Sequence, residues 1–289
     1  MAKLFNIAEK RVAVLSLNLL GFHALCAPDR QATRAQRINE ISTALLTMAV
    51  ACAHSERGVM DSFHGDHFVL TFNASRAVAG PLAAAVRTAN TFIQVVRSDP
   101  QLSGCVVAAG AASGRAQVGT FGIDGYRRMS VVGEAYRNAT ALQLAAVQFL
   151  RMNSHAGLDS GCLVDETALK ELGSCPFHLQ IVGCIQSSHT RTGQSEKQCR
   201  TAYFALDASS LNSVQDEWLY ELDAMEATDP YTEPNRAMIA LMGGSVAECR
   251  SIVDAHNNTQ YALPPRLMGT TSSLSPGPSG SHDIASKPQ

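Results

Sequence analysis

Between Arg11 and Gly21 the chain reads RVAVLSLNLLG, and this run restricts the fold more than any other stretch. Val12 and Val14 fall on one parity, Ala13, Leu15, Leu17 and Leu19 on the other, so a strand here would be apolar on both faces. A strand of that kind belongs inside a sheet that is covered on both sides. Gly21 bounds it, as expected of a residue that can leave extended geometry in one step.

Beyond Gly21 the chain alternates between helical and strand periodicity. From Arg37 to His54, Ile38, Ile41, Leu45, Met48, Ala49 and Cys52 recur at helical spacing, and Gly58 is expected to close that helix. Val59 to Asn73 reads as two short strands joined at His64-Gly65-Asp66, a hairpin turn. Pro81 to Val96 is a second amphipathic helix, with Leu82, Val86, Ala89, Ile93 and Val96 on one side. Cys105 to Ala111 is a further strand and Gly133 to Phe149 a further helix. The order β-α-β-β-α-β, with one strand pair a hairpin, predicts an α+β, ferredoxin-like core with helices over an antiparallel sheet.

Composition narrows the partners. With 23 basic and 25 acidic residues the net charge is -2, so nothing electrostatic favours nucleic acid or an anionic membrane. No apolar run approaches the ~18–20 residues of a membrane span, and the start, MAKLFNIAEKR, lacks the apolar centre of a secretion signal. The eight cysteines have no C-x-x-C pair, which suits reduced, mostly buried thiols and a cytoplasmic setting, alone or as part of a larger membrane-anchored protein.

The C-terminal part has a different character. Residues 207–262 read as a helical hairpin in which Leu219, Leu222 and Met225 face Met238, Leu241 and Ile252, with a Gly243-Gly244 turn inside it. A cap on the first domain is the plainer reading of this unit, a single tetratricopeptide-like repeat the other. Residues 263–289 are rich in Pro, Gly and Ser and are expected to be disordered.

Four blocks stand in a telling order: VAVLSLNLLGFHAL, MDSFHGDHFVLTF, VVAAGAASGRAQVGTFG and YRRMSVVGEAYRNATAL. Together they resemble the catalytic domain of class III nucleotidyl cyclases across residues 1–206. The resemblance implies chemistry on ATP or GTP, in which the ribose 3′-oxygen attacks the α-phosphate. It also implies Mg²⁺ or Mn²⁺ held by two aspartates, and a head-to-tail dimer with another cyclase-type domain, as homo- or heterodimer.

Carried over residue by residue, the resemblance puts the metal positions at Asp66 and at Asn18, where the family has a second aspartate. Gly21, Phe22 and His23 form the phosphate-facing loop, with Gly65 in the hairpin as its companion. The base-reading positions are Ser62 and Ser130, three residues before Gly65 and Gly133. Arg137 stands where the family has a ribose-orienting asparagine, and Ala141 where it has an arginine on the α-phosphate. Losing that arginine removes several kcal/mol of transition-state stabilisation, and Arg137, one helical turn away, is a poor substitute. The substitutions imply a degenerate, non-catalytic module that dimerises and regulates intracellular signalling. The other reading is a divergent active cyclase that converts ATP or GTP to the cyclic monophosphate and pyrophosphate, by itself or only in a heterodimer to which this chain supplies the metal side.

Other features have plainer explanations. His64, Asp66 and His67 fit an exposed polar turn better than a metal cluster. Gly110, Gly114, Gly119 and Gly122 lack the Lys-Ser/Thr of a phosphate loop and are expected to serve tight turns and close packing. Trp218 and Tyr220 fit packing against their own domain. Asp61, next to Ser62 on a regular strand, is expected to face away from it.

Overall fold

The structure, a computed structural model, describes residues 7–27, 34–123, 125–152, 160–172, 177–191, 194–207 and 232–257. Strand β1 (Ala8–Leu20) is its axis. Leu15, Leu17 and Leu19 pack with the helices α2 (Arg34–Ser55) and α3 (Pro81–Ser98), while Val12 and Val14 pack on the other face with α4 (Glu134–Met152). Both faces of β1 are therefore covered, as its two apolar parities require.

Around it stand β2 (Val59–His64), β3 (His67–Phe72) and β4 (Val106–Ile123) in the order β2-β3-β1-β4, each pair antiparallel. This is the expected ferredoxin-like arrangement. The sheet continues through β6 (Gly161–Asp165), parallel to β4, then β8 (Gln194–Asp207) and β7 (Phe177–Arg191) at the edge. Strand β5 (Tyr126–Gly133) pairs only with the far half of β4, from Ala116 to Ile123.

The helices bury the faces their periodicity marked. In α3, Leu82, Val86, Ala89, Ile93 and Val96 are all buried. In α4, Ala135, Ala139, Leu142, Ala146 and Leu150 face the sheet, leaving Arg137, Ala141 and Leu144 exposed.

Two glycine readings are refined. Gly58 does not supply the left-handed residue after α2; Arg57 does, at φ 60°. The Gly58 amide then reaches back to the Ala53 carbonyl at 2.7 Å, a Schellman-type closure. Gly58 is needed for space, since a Cβ there would stand 2.5 Å from the Phe72 ring. Gly110, Gly114, Gly119 and Gly122 are not at turns between elements but lie within the single long strand β4, which outruns the expected Cys105–Ala111. At Gly110 a Cβ would lie 2.2 Å from the Gln143 amide nitrogen and 2.4 Å from the Ala139 carbonyl oxygen, so its absence lets α4 rest directly on the strand.

The stretch from Asn235 to His256, expected as one helix of a hairpin, is itself the hairpin. Helices α6 (Thr232–Met242) and α7 (Val246–Asn257), which come after the short α1 (Phe22–Leu25) and α5 (Leu169–Leu172) in the numbering, turn at Gly243-Gly244. Met238, Leu241 and Ile252 pack within this pair. Leu219, Leu222, Met225, Trp218 and Tyr220 lie outside the described residues. The Asn235 side chain accepts from the Ile181 amide at 2.6 Å and donates to the Leu179 carbonyl at 2.5 Å, so α6 is seated on β7, the edge strand.

Candidate functional site

The end of β1 and the β2–β3 turn are stitched together. Gly65 takes φ +66° in the turn, and the Leu19 amide donates to the Asp66 carbonyl at 2.9 Å. Asn18 pairs with His67 across the β1–β3 register. Gly21, at φ +91°, opens α1, burying Phe22 and leaving His23 exposed. His23 Nε2 stands 4.0 Å from an Asp66 carboxylate oxygen. His67 turns inward instead, its Nε2 2.9 Å from the hydroxyl of buried Ser16. Burial pushes the His67 pKa down, opposed by Asp66 and reinforced by His64.

A second region lies between β2, β5 and the start of α4. It is an open cleft of about 550 Å³, lined by Ser62, Ser130 and Arg137 among others. Of the sequence-predicted residues, these three are brought together here. Asn18, Gly21, Phe22, His23, Gly65 and Asp66 belong to the β1–turn junction, and Ala141 sits on the exposed face of α4 one turn beyond Arg137.

The cleft also holds Asp61, against expectation. Pairing of β2 with β3 slips between Met60 and Ser62, so two β2 residues stand where a regular ladder has one. A bulge of this kind cancels strict alternation and lets neighbouring side chains share a face. Asp61 and Ser62 both line the cleft for that reason. The Asp61 side chain is only 6% exposed. Arg128 donates to its backbone carbonyl at 2.9 Å and to its carboxylate at 3.4 Å, and the Ser130 hydroxyl hydrogen-bonds the same carboxylate. Burial raises the Asp61 pKa above the ordinary aspartate value, more than Arg128 and Ser130 lower it.

Ser62 differs from Ser130. Its hydroxyl oxygen is buried and has no hydrogen-bond partner among the described residues. Phe121, Val131 and Tyr136 supply apolar wall, and Arg137, ion-paired with Glu134 at 3.8 Å, stands on α4 at the rim. Sequence reasoning missed Arg128, Phe121 and Tyr136. A usable signal existed for Arg128, because Arg128, Ser130 and Val132 share one parity of β5.

The donor set at the junction does not suit a pair of metal ions. Asp66 contributes one carboxylate at this junction, and Asn18, whose neutral amide adds no charge, stands where a second would be needed. Among the described residues no three His, Cys, Asp or Glu side chains converge as ligands.

Known structures place the fold. The adenylyl cyclase CyaB from P. aeruginosa superposes with a TM-score of 0.54 at 18% identity, over 70% of this chain and 96% of that one. The guanylate cyclase domain of RhGC from Catenaria anguillulae, solved with GTP, gives 0.53 at 14%, over 69% and 98%. A dimeric guanylyl cyclase domain from the aquatic fungus Blastocladiella emersonii gives 0.52 at 17%, over 69% and 98%. The mixed α+β architecture is that of a cyclase-like domain, and more narrowly that of class III adenylyl and guanylyl cyclase catalytic domains. No family model matches the chain, and no curated protein matches it in sequence.

Proposed function

We propose that this chain is a non-catalytic nucleotidyl cyclase-homology domain, which pairs with another cyclase-type domain and regulates or scaffolds a signalling assembly. The observation that carries the reading is the donor set at the β1–turn junction: Asn18 stands at the position of the second aspartate beside the Asp66 turn, and among the described residues no three His, Cys, Asp or Glu side chains converge there. Cyclisation by two metal ions needs bridging negative charge, and one carboxylate supplies half of it. Ala141 compounds the loss, since α4 presents a methyl group where transition-state charge would need a cation. These losses act as a unit, so none is offset by retaining the others.

The cleft itself keeps the character of a binding site: polar Ser62 and Ser130, apolar Phe121 and Val131, and exposed Arg137 line one space. Nucleotide binding without turnover is the function this combination supports. Among the described residues no helix is long and apolar enough to cross a membrane.

The test is cyclic-nucleotide production by the purified chain with Mn²⁺-ATP and Mn²⁺-GTP, beside an Asp66→Ala control. Background product at concentrations where the dimer is confirmed is the expected result. Product that vanishes in the control would establish a divergent cyclase instead.

A further inference from the structure

We propose that Ser130 is a phosphorylation site for a serine kinase with an acidic substrate groove, and that the added phosphate draws Arg128 off the β2 bulge and frees β5 from β2. Neither half depends on what occupies the cleft.

The local sequence is Arg127-Arg128-Met129-Ser130-Val131. Adjacent arginines occur once in the chain, and they stand three and two residues before this serine, with an apolar residue directly after it. Charge pattern is a means by which kinases tell substrates apart. Carboxylates of an acidic groove pair with the two guanidinium groups, each a planar fork of donors, and an apolar pocket takes the following side chain.

The fold presents this segment in the form such a groove accepts. β5 is already extended chain from Tyr126 to Gly133. Among the described residues it pairs with β4 alone and lies off the main path of the sheet. Tyr126, Arg127, Arg128 and Met129 are exposed, and Ser130 is half-buried and lines the open cleft. Towards β2, β5 is tied by the Arg128 bonds to Asp61 and by the hydrogen bond between Ser130 and the same carboxylate. The Arg128 side chain is 57% exposed, so a groove carboxylate can compete for it from solvent.

In the transfer, the Ser130 hydroxyl oxygen attacks the γ-phosphorus of ATP. The new oxygen–phosphorus bond forms as the bond from the γ-phosphorus to the bridging oxygen breaks. ADP leaves, and the hydroxyl proton passes to a carboxylate base of the kinase.

The consequence follows from the position of Arg128. A phosphoserine carries a charge of about -1.5 to -2 at neutral pH. Arg128 and Ser130 are two residues apart and share one face of the strand, so the guanidinium can reach the phosphate. A bidentate arginine–phosphate pair is stronger than the 3.4 Å contact with the Asp61 carboxylate. Turning to the phosphate, Arg128 gives up the 2.9 Å bond to the Asp61 carbonyl as well. Esterified, Ser130 has no hydroxyl proton left to donate to Asp61. The link across the cleft is then lost whichever protonation state Asp61 has.

The test incubates the full chain with Mg-ATP and the catalytic subunit of cyclic AMP-dependent protein kinase, beside a synthetic peptide of residues 126–132. Mass spectrometry locates the phosphate. Expected is phosphate on Ser130 in both, at a rate about tenfold or more lower in the Arg127→Ala chain. Hydrogen exchange then compares modified and unmodified chain, and amides of β2 and β5 should exchange faster after modification while those of β1 do not change. Arg128→Ala should show the same fast exchange without phosphate. A peptide that is modified while the folded chain is not would overturn the site. So would failure of both, or phosphate on other residues alone. Unchanged exchange in β2 and β5, in the phosphorylated chain or in Arg128→Ala, would overturn the release.

Discussion

Arg128 holds Asp61 twice, donating to its backbone carbonyl at 2.9 Å and to its carboxylate at 3.4 Å. The first contact engages the bulge at its displaced residue, so the arginine fixes the geometry of β2 as well as balancing its charge. Strands β2 and β5 are not neighbours in the sheet, and this link spans the cleft between them.

The raised pKa of Asp61 carries a pH signature. Its folded-state value lies above the unfolded one, so the folded chain binds the proton more tightly. Its contribution to stability is greatest below the ordinary value of 3.8 and is lost as pH rises through the folded value. Asp61→Asn resembles the protonated acid in shape. The melting temperature of this variant minus that of the wild type should therefore grow as pH is raised from 4 towards 7. A difference that shrinks with rising pH would mean that the Arg128 interaction outweighs burial.

Gly110→Val should be severely destabilising. Backbone atoms 2.2 and 2.4 Å from the added Cβ cannot turn aside as a side chain would. Relief requires α4 to lift from β4, at an expected cost of about 3 kcal/mol or more by urea denaturation. Because α4 carries Arg137, nucleotide binding should weaken in whatever fraction stays folded.

Asn235→Ala should leave the Ile181 amide and the Leu179 carbonyl without their side-chain partner, at about 1–3 kcal/mol for each group that water does not reach. Hydrogen exchange at the Ile181 amide is the direct measurement. Faster exchange there, with exchange in β1 unchanged, is the expected pattern.

Restoring single positions should not restore turnover. Asn18→Asp and Ala141→Arg alone are each expected to leave product at background, since metal charge and the phosphate cation act together. Combined, with Arg137→Asn added, they should raise cyclic-nucleotide formation above background in the Mn²⁺ assay. Activity from either single variant would show that the remaining machinery is more complete than the donor set implies.

The scaffold was readable in the sequence where burial dictates pattern. The two parities of β1 and the stripes of α2 and α3 come from residues that must leave water, and periodicity reports that demand directly. The site was less readable because one irregularity governs it. Alternation puts Asp61 and Ser62 on opposite faces, and nothing in MDSFHG announces a bulge; its cause is the pairing of β2 with β3, a relation between distant segments. Arg128 was passed over for a similar reason, since β5 meets β2 only through the folding of the long β4–β5 pair. The hairpin aspartate and its turn were visible because Gly65 and Asp66 are local chemistry.

The seat of Asn235 on β7 has a consequence for handling the molecule. Its amide presents one donor and one acceptor to the strand's outer edge, as a neighbouring strand would, and so occupies part of the ladder that another chain could extend. A shortened version ending at Asp207 would leave those groups open to the edge of a second copy. Fibrous or amorphous self-association on shortening is the expected result, which gives the C-terminal helices the standing of a solubility device.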